Sequence, residues 1–314
     1  MSFDAIIGHE NIKLQIVNSI KNNRFSHAHI IVGEDGIGKS LIAKDTAIRL
    51  LGKWKQKQYA DIVEFRLAKD KKSIGIDEIK NIIVETNKKP YENDRKVIIL
   101  YQADTMTEAA QNAFLKTIEE PPNGIFIILL CEKLDNILDT IKSRCQIYKL
   151  NRLNEDEMRA FLNTRYHNKS EEELKVIAAF SDGIPGRAER FTEDNSLREM
   201  RDTTIQILRN ICENTLDKVL IHEDFLLKYK NEWQELLTYF LSYIRDTLIY
   251  KETGNKDIII NVDKIKEIKD IAEMFSFNKL NDIINIIKDT RKKLERNVNA
   301  TLVFNSMLVK MQEV

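Results

Sequence analysis

The octapeptide Gly33-Glu34-Asp35-Gly36-Ile37-Gly38-Lys39-Ser40 constrains this chain more than any other stretch. It fits the pattern G-x-x-x-x-G-K-[ST], and its context gives the pattern a physical meaning. The apolar run His29-Ile30-Ile31-Val32 precedes it, and Leu41 to Leu51, with helical spacing, follows. Strand, glycine loop and helix in that order set backbone N–H groups at a helix N-terminus, where they can wrap a polyphosphate. Gly33, Gly36 and Gly38 let the backbone wrap around Ile37, Lys39 reaches the β and γ oxygens, and Ser40 can ligate Mg²⁺. ATP or ADP with Mg is the expected ligand. Glu34 and Asp35 bring negative charge into the same loop and weaken its affinity.

A strand beside such a loop usually ends in two acids, which hold the metal and activate water. The matching run here is Val97-Ile98-Ile99-Leu100, and it ends in Tyr101-Gln102. Tyr101 cannot stand in for a metal-linked carboxylate at neutral pH, and Gln102 orients water but is a poor base. Asp104, the nearest carboxylate, lies beyond the strand end and is a candidate substitute. The sequence thus predicts a loop that holds nucleotide and a partner strand unable to consume it efficiently.

The chain around these motifs alternates in character. Ile62 to Phe65, Val97 to Leu100, Ile125 to Leu130 and Gln146 to Tyr148 read as strands, with helices between them at Ile76 to Thr86, Glu108 to Ile118 and Leu134 to Ile141. Short apolar runs without alternation, separated by helices, predict a parallel α/β sheet covered on both faces, over about residues 1–150. Asn154 and Ser170 each cap a helix, and Ile184-Pro185-Gly186-Arg187-Ala188 turns into a third, so a small helical module is expected over 151–195. All four prolines lie before residue 190, and from 196 to 314 only helical periodicity remains. Leu280, Ile283, Ile284, Ile287 and Leu294, then Leu302, Val303, Leu308 and Met311, predict apolar faces of a bundle suited to oligomerisation.

With 314 residues, 43% hydrophobic and 31% charged, the chain is long enough for two or three domains. Lys+Arg and Asp+Glu both number 49, so no global basic field attracts nucleic acid. No apolar run approaches the roughly 18 residues of a membrane span, and a cytoplasmic location without membrane partners is expected. Cys131, Cys145 and Cys212 form no C-x-x-C pair, and neither zinc nor a disulfide framework is predicted. They read as small hydrophobes. Lys53, Lys55 and Lys57 beside Trp54 and Tyr59 read as a solvated helix end rather than a nucleic-acid contact, and His27 and His29 as packing residues.

Further motifs carry a family resemblance. The segment Thr107-Glu108-Ala109-Ala110-Gln111-Asn112-Ala113-Phe114-Leu115-Lys116-Thr117-Ile118-Glu119-Glu120-Pro121-Pro122 resembles the N-A-L-L-K-x-L-E-E-P-P stretch of bacterial clamp-loader subunits, and Ser143-Arg144-Cys145 matches their S-R-C motif. Ser26-His27-Ala28-His29, the Ile184 to Ala188 turn and Leu294-Glu295-Arg296-Asn297-Val298-Asn299 extend the likeness over the whole chain. The resemblance, to the AAA+ clamp-loader family of DNA polymerase III, implies an α/β phosphate-loop domain of AAA+ type, a helical lid and an all-α collar. It implies a hetero-oligomeric ring with gamma/tau-type motor subunits and a delta subunit, opening the sliding clamp on primed DNA. It also implies that Arg144 is an arginine finger projected into a neighbour's ATP site, and that Arg187 is a sensor arginine touching bound nucleotide.

Departures from the motor pattern set the expected role. Tyr101 and Gln102 replace the acids, Leu130 and Cys131 replace a threonine-rich sensor, and Trp54 to Ala60 lacks the cysteines of the family's zinc module. A non-motor, stator-like subunit is expected. The alternatives are a hydrolysis-competent motor subunit or other AAA+ ATPase, and a regulatory nucleotide-binding module.

Overall fold

The computed structural model describes residues 3–55, 57–68, 70–92, 94–212 and 221–314. They group into two compact units, one of Met1–Arg165 with Asp182–Arg187, the other of Tyr166–Ser181 with Ala188–Val314.

The first unit is built on a five-stranded parallel sheet: β1 (Ala28–Val32), β2 (Ile62–Phe65), β3 (Lys96–Leu100), β4 (Ile125–Cys131) and β5 (Gln146–Lys149). Its order is β2-β3-β4-β1-β5, every pairing being parallel. All five residues of β1 and of β3 are buried, as expected of inner strands with helices on both faces. The edge strands β2 and β5 carry exposed residues. Successive side chains alternate between the faces, so one sheet yields two cores. Ala28, Ile30 and Val32 join Ile98, Leu100, Ile127 and Leu129 beneath Ile79, Ile82, Phe114 and Ile118 of the Ile76–Thr86 and Glu108–Glu119 helices. On the other face Ile31, Val97, Ile99 and Ile128 pack against Ile16 of the Glu10–Lys21 helix and Ile42, Ala43 and Ala47 of the Lys39–Leu50 helix.

The strand and helix expectations for this unit hold, with one adjustment. The segment from Leu134 to Ile141 is a 3-10 turn, Leu134–Asn136, followed by a four-residue helix, Asp139–Lys142. The break supports the loop: Gln111 donates to Asn136 O at 2.8 Å and accepts from Leu138 N–H at 2.8 Å. His27 and His29 are packing residues, the ring of His27 lying 2.7 Å from Ile118 O and that of His29 stacking on Phe25 with centroids 3.7 Å apart. Cys131 is buried and Cys145 half-buried, both free thiols; the side chain of Cys212 lies outside the described residues.

The second unit is helical. The Asn195–Cys212, Trp233–Thr253, Ile265–Met274, Phe277–Glu295 and Ala300–Glu313 helices enclose a core of Leu208, Phe240, Tyr243, Ile271, Ile283, Ile287, Phe304 and Leu308. Caps set the helix ends. Ser276 accepts from Lys279 N–H, Asn299 from Leu302 N–H, and Gly254, at φ 64°, closes the Trp233–Thr253 helix in the left-handed region. Of the expected apolar faces, Leu280, Ile283, Ile287, Leu294, Val303, Leu308 and Met311 are buried, but Leu302 is 67% exposed. It stands in the first turn of its helix, on the side away from Val303 and Met307.

A buried polar network braces this core. Asp246, fully buried, accepts from the N–H groups of Ile260 and Asn261 at 3.2 and 2.7 Å and from Asn261 Nδ2 at 2.8 Å. Asn261 in turn accepts from the Arg201 guanidinium at 3.0 Å, and Arg201 pairs with Asp263 at 2.5 and 2.8 Å. Arg245 Nη1 donates to Asp246 Oδ1 at 2.9 Å, so with Arg201 on Asp263 each carboxylate has a cation, as burial requires. Among the described residues no helix is long and apolar enough to cross a membrane.

Candidate functional site

The glycine loop leaves the end of β1, the strand between β4 and β5, and enters the Lys39–Leu50 helix through Gly38 at φ 108°. No side chain caps that helix, so its first N–H groups are available to an anion, and a Cβ built at Gly38 would meet nothing within 4 Å. These features fit a nucleotide's phosphates. Lys39 Nζ bonds the carbonyls of Gly33 and Glu34 at 2.7 and 2.9 Å, turned back over the loop from which it would reach an oxygen of a bound phosphate. Ser40 is half-buried beside it, and Ile37 is buried against Leu150 and Ile184 under the loop.

Arg187 lies at this loop. The segment carrying it approaches so closely that a Cβ on Gly186 would come within 2.5 Å of Gly36 Cα, and Gly186 N–H donates to Gly36 O at 2.9 Å. Glu34 Oε2 accepts from Arg187 Nη2 at 3.0 Å, and the same carboxylate accepts from Arg152 at 2.5 and 2.9 Å. Arg152 also pairs with Asp182. The Arg152 hydrogen bond, against a smaller effect of burial, holds the Glu34 carboxyl below its ordinary range.

At the acid positions the structure has a different arrangement. Tyr101 is 8% exposed and its hydroxyl donates to Glu64 Oε2 at 2.9 Å, while the Arg66 guanidinium lies 3.6 Å over its ring. Burial, reinforced by Glu64, pushes the Tyr101 phenol upward, so it stays neutral. Burial pulls the Glu64 carboxyl upward too, but hydrogen bonds from Lys44, Tyr101 and Arg66 together keep it below its ordinary range. Gln102 adopts a left-handed conformation at φ 52° with an exposed side chain. Asp104, the candidate substitute, accepts from the N–H groups of Glu132 and Lys133 at 3.3 and 3.0 Å and so pins the turn after β4. Between β1 and β3, at the end of β4, stands Cys131, whose thiol burial pushes up to about 12. Among the described residues no group of three His, Cys, Asp or Glu could hold a metal.

Arg144 is placed elsewhere. It precedes β5, whose Gln146 is in register with His29, whereas the loop departs after Val32, in register with Lys149. Arg144 and the chain's own loop therefore occupy opposite ends of a parallel sheet, about 15 Å apart by strand rise alone. The guanidinium donates to Thr140 O at 2.9 Å and to Glu119 Oε1 at 3.1 Å, and its side chain is 36% exposed. His27, Glu119, Ser143 and Arg144 line a shallow open pocket there.

Comparison with known proteins decides the family. Residues 8–154 match a family model described as "DNA polymerase III, delta subunit", and residues 204–313 match "DNA polymerase III, delta subunit, C terminal". The chain belongs to the DNA polymerase III delta-subunit family. It is a clamp-loader subunit of AAA+ fold, and the clamp-loader resemblance read from the sequence holds. The chain is 25% identical to the delta' subunit of Bacillus subtilis over 95% of its own length and 94% of that protein's. It is 23% identical to the B. subtilis tau subunit over 98% of this chain, which spans only 61% of tau. Among solved structures, a gamma subunit-related protein of Thermotoga maritima shares the fold with a TM-score of 0.50 at 17% identity, over 95% of this chain and 99% of that one.

Within this delta-family subunit, sequence reasoning missed three residues at the loop. Arg152 and Asp182 complete the charge cluster on Glu34, and His9, at φ 58°, brings its ring Nε2 to 3.3 Å from Ile37 O. Burial pushes the His9 ring downward in pKa, and it stays neutral beside the loop. No spacing signals these contacts, since Glu34 and Arg152 are 118 residues apart. Helix capping alone hinted at Asp182, which lies just after the Glu171–Ser181 helix and before Gly183 at φ 74°.

Proposed function

We propose that this clamp-loader subunit is a non-motor, stator-like component of delta' type, which supplies Arg144 in trans to the ATP site of a neighbouring gamma/tau-type motor subunit. The observation that carries this reading is the position of Arg144, at the sheet end opposite the chain's own loop and accessible to solvent. An arginine there cannot serve its own nucleotide, but a second subunit can bring a phosphate to it. A guanidinium so placed neutralises charge that develops on the transferring phosphoryl group.

The chain's own chemistry supports the same division of labour. Gly33, Gly36, Ile37, Gly38, Lys39 and Ser40 hold ATP or ADP with Mg, Arg187 monitors that site, and Tyr101 and Gln102 leave it without a base or a metal-linked carboxylate. The three-segment organisation, a sheet domain over 1–150, a lid over 151–195 and a collar over 196–314 that joins the hetero-oligomer, belongs to this reading. So do a delta-subunit partner, contact with the sliding clamp and primed DNA through the complex, and a cytoplasmic location.

Turnover measurements on the isolated chain and on the complex test the assignment. The isolated chain hydrolyses no ATP above background, and a complex built with Lys39→Ala in this subunit keeps its hydrolysis rate. Hydrolysis by the isolated chain that Lys39→Ala abolishes would make it a motor subunit instead.

A further inference from the structure

Glu34 is an unusual residue to find inside a loop that wraps phosphates, and it is the most heavily engaged carboxylate at that loop. Its Oε1 accepts from Arg152 Nε at 2.5 Å, and its Oε2 accepts from Arg152 Nη2 at 2.9 Å and Arg187 Nη2 at 3.0 Å. A two-pronged Arg152 contact with a further donor from Arg187 is the pattern by which guanidinium groups take a phosphate. The backbone makes this arrangement persistent: Gly186 N–H on Gly36 O, with no room for a Cβ between them, seats the segment bearing Arg187 on the loop. Asp182 engages Arg152 from its other side and lies 3.9 Å from Arg187.

We propose that Glu34 is an intramolecular stand-in for a nucleotide's outermost phosphate, and that it determines how tightly the loop holds nucleotide and how strongly it prefers a diphosphate to a triphosphate. The inference rests on the loop being the nucleotide site. A diphosphate held by Lys39 and the loop N–H groups leaves Glu34 on its arginines. A third phosphate group brings more negative charge towards Glu34 and gains its guanidinium partners only by displacing that carboxylate. In a subunit whose Tyr101 already forgoes hydrolysis, the effect is a site that stays filled with diphosphate or empty while its neighbours cycle.

Calorimetric titration of the full chain with ATP and with ADP tests this. Glu34→Gln removes the carboxylate charge that Arg152 and Arg187 share, leaving Asp182 in place, and is expected to tighten ATP binding by about tenfold and ADP binding by less. Glu34→Asp keeps the charge but shortens its reach, and is expected to tighten ATP binding in the same direction. Asp35→Asn removes one charge from the same loop at an exposed position and sets the effect of charge alone. Equal gains for Glu34→Gln and Asp35→Asn, or no gain for Glu34→Gln, overturn the role of Glu34 and leave the loop as the nucleotide site. Binding by Glu34→Gln that survives Lys39→Ala shows that nucleotide sits elsewhere, and overturns both the loop reading and the proposal.

Discussion

The Tyr101 hydroxyl donates to the Glu64 carboxylate at 2.9 Å, so the strand end that would carry a metal-binding acid carries a buried, neutral hydrogen-bond donor instead. Glu64 depends on that donor together with Lys44 and Arg66. Tyr101→Phe removes one hydrogen bond to a charged group and is expected to destabilise the first unit by about 1–2 kcal/mol. Tyr101→Asp sets a second carboxylate beside Glu64 and costs about 3 kcal/mol without creating hydrolysis. Urea unfolding with a turnover assay checks both; a Tyr101→Asp chain that hydrolyses ATP would show that the tyrosine alone silences the site.

His29 makes stability depend on pH. It is 2% exposed in β1, and burial lowers its pKa from 6.5 to about 4. The folded state therefore holds it neutral where the unfolded chain has begun to protonate. Its contribution is fully present above pH 6.5 and is lost as pH falls towards about 4, by about 3 kcal/mol across that window. Urea midpoints of the wild type should decline from pH 7 to pH 4.5 more steeply than those of His29→Phe, which cannot bind the proton. Parallel declines would contradict the assignment.

The glycine loop, its flanking strand and helix, and the parallel sheet were legible in the sequence because each rests on short-range patterns. Ile30, Ile31 and Val32 must be buried on both faces, and Gly38 must turn the chain into a helix. The caps at Asn154 and Ser170 were legible for the same reason, and each does form a reciprocal pair, with Glu157 and Glu173. What the sequence hides is what side chains meet across the fold. Nothing in the spacing of Glu34, Arg152 and Arg187 joins them, nor does any pattern mark Tyr101 for Glu64. The exposure of Leu302 was missed because a single helical face can be drawn through it by including residues that the first turn leaves in solvent.

Asp246 is a second hidden contact, and its loss should be severe. The carboxylate is fully buried and accepts the N–H groups of Ile260 and Asn261 and one proton of the Asn261 amide. Asp246→Ala leaves those donors without an acceptor and unsettles the Asn261 to Arg201 link, at a cost of about 3 kcal/mol or more. Thermal unfolding of the whole chain measures it, and a shift no larger than that of an exposed substitution such as Glu252→Ala would refute a bracing role for the network.

Arg144 is the residue on which action in trans depends, and hydrolysis by the reconstituted complex tests that role most directly. An arginine finger contributes about three to five powers of ten at the site it serves. Complexes carrying Arg144→Ala in this subunit should assemble normally on size exclusion and lose the phosphate released by the one motor site that faces it, with Arg144→Lys restoring little because a lysine lacks the guanidinium fork. A complex that assembles with Arg144→Ala and releases phosphate at the wild-type rate from every motor site would contradict the account.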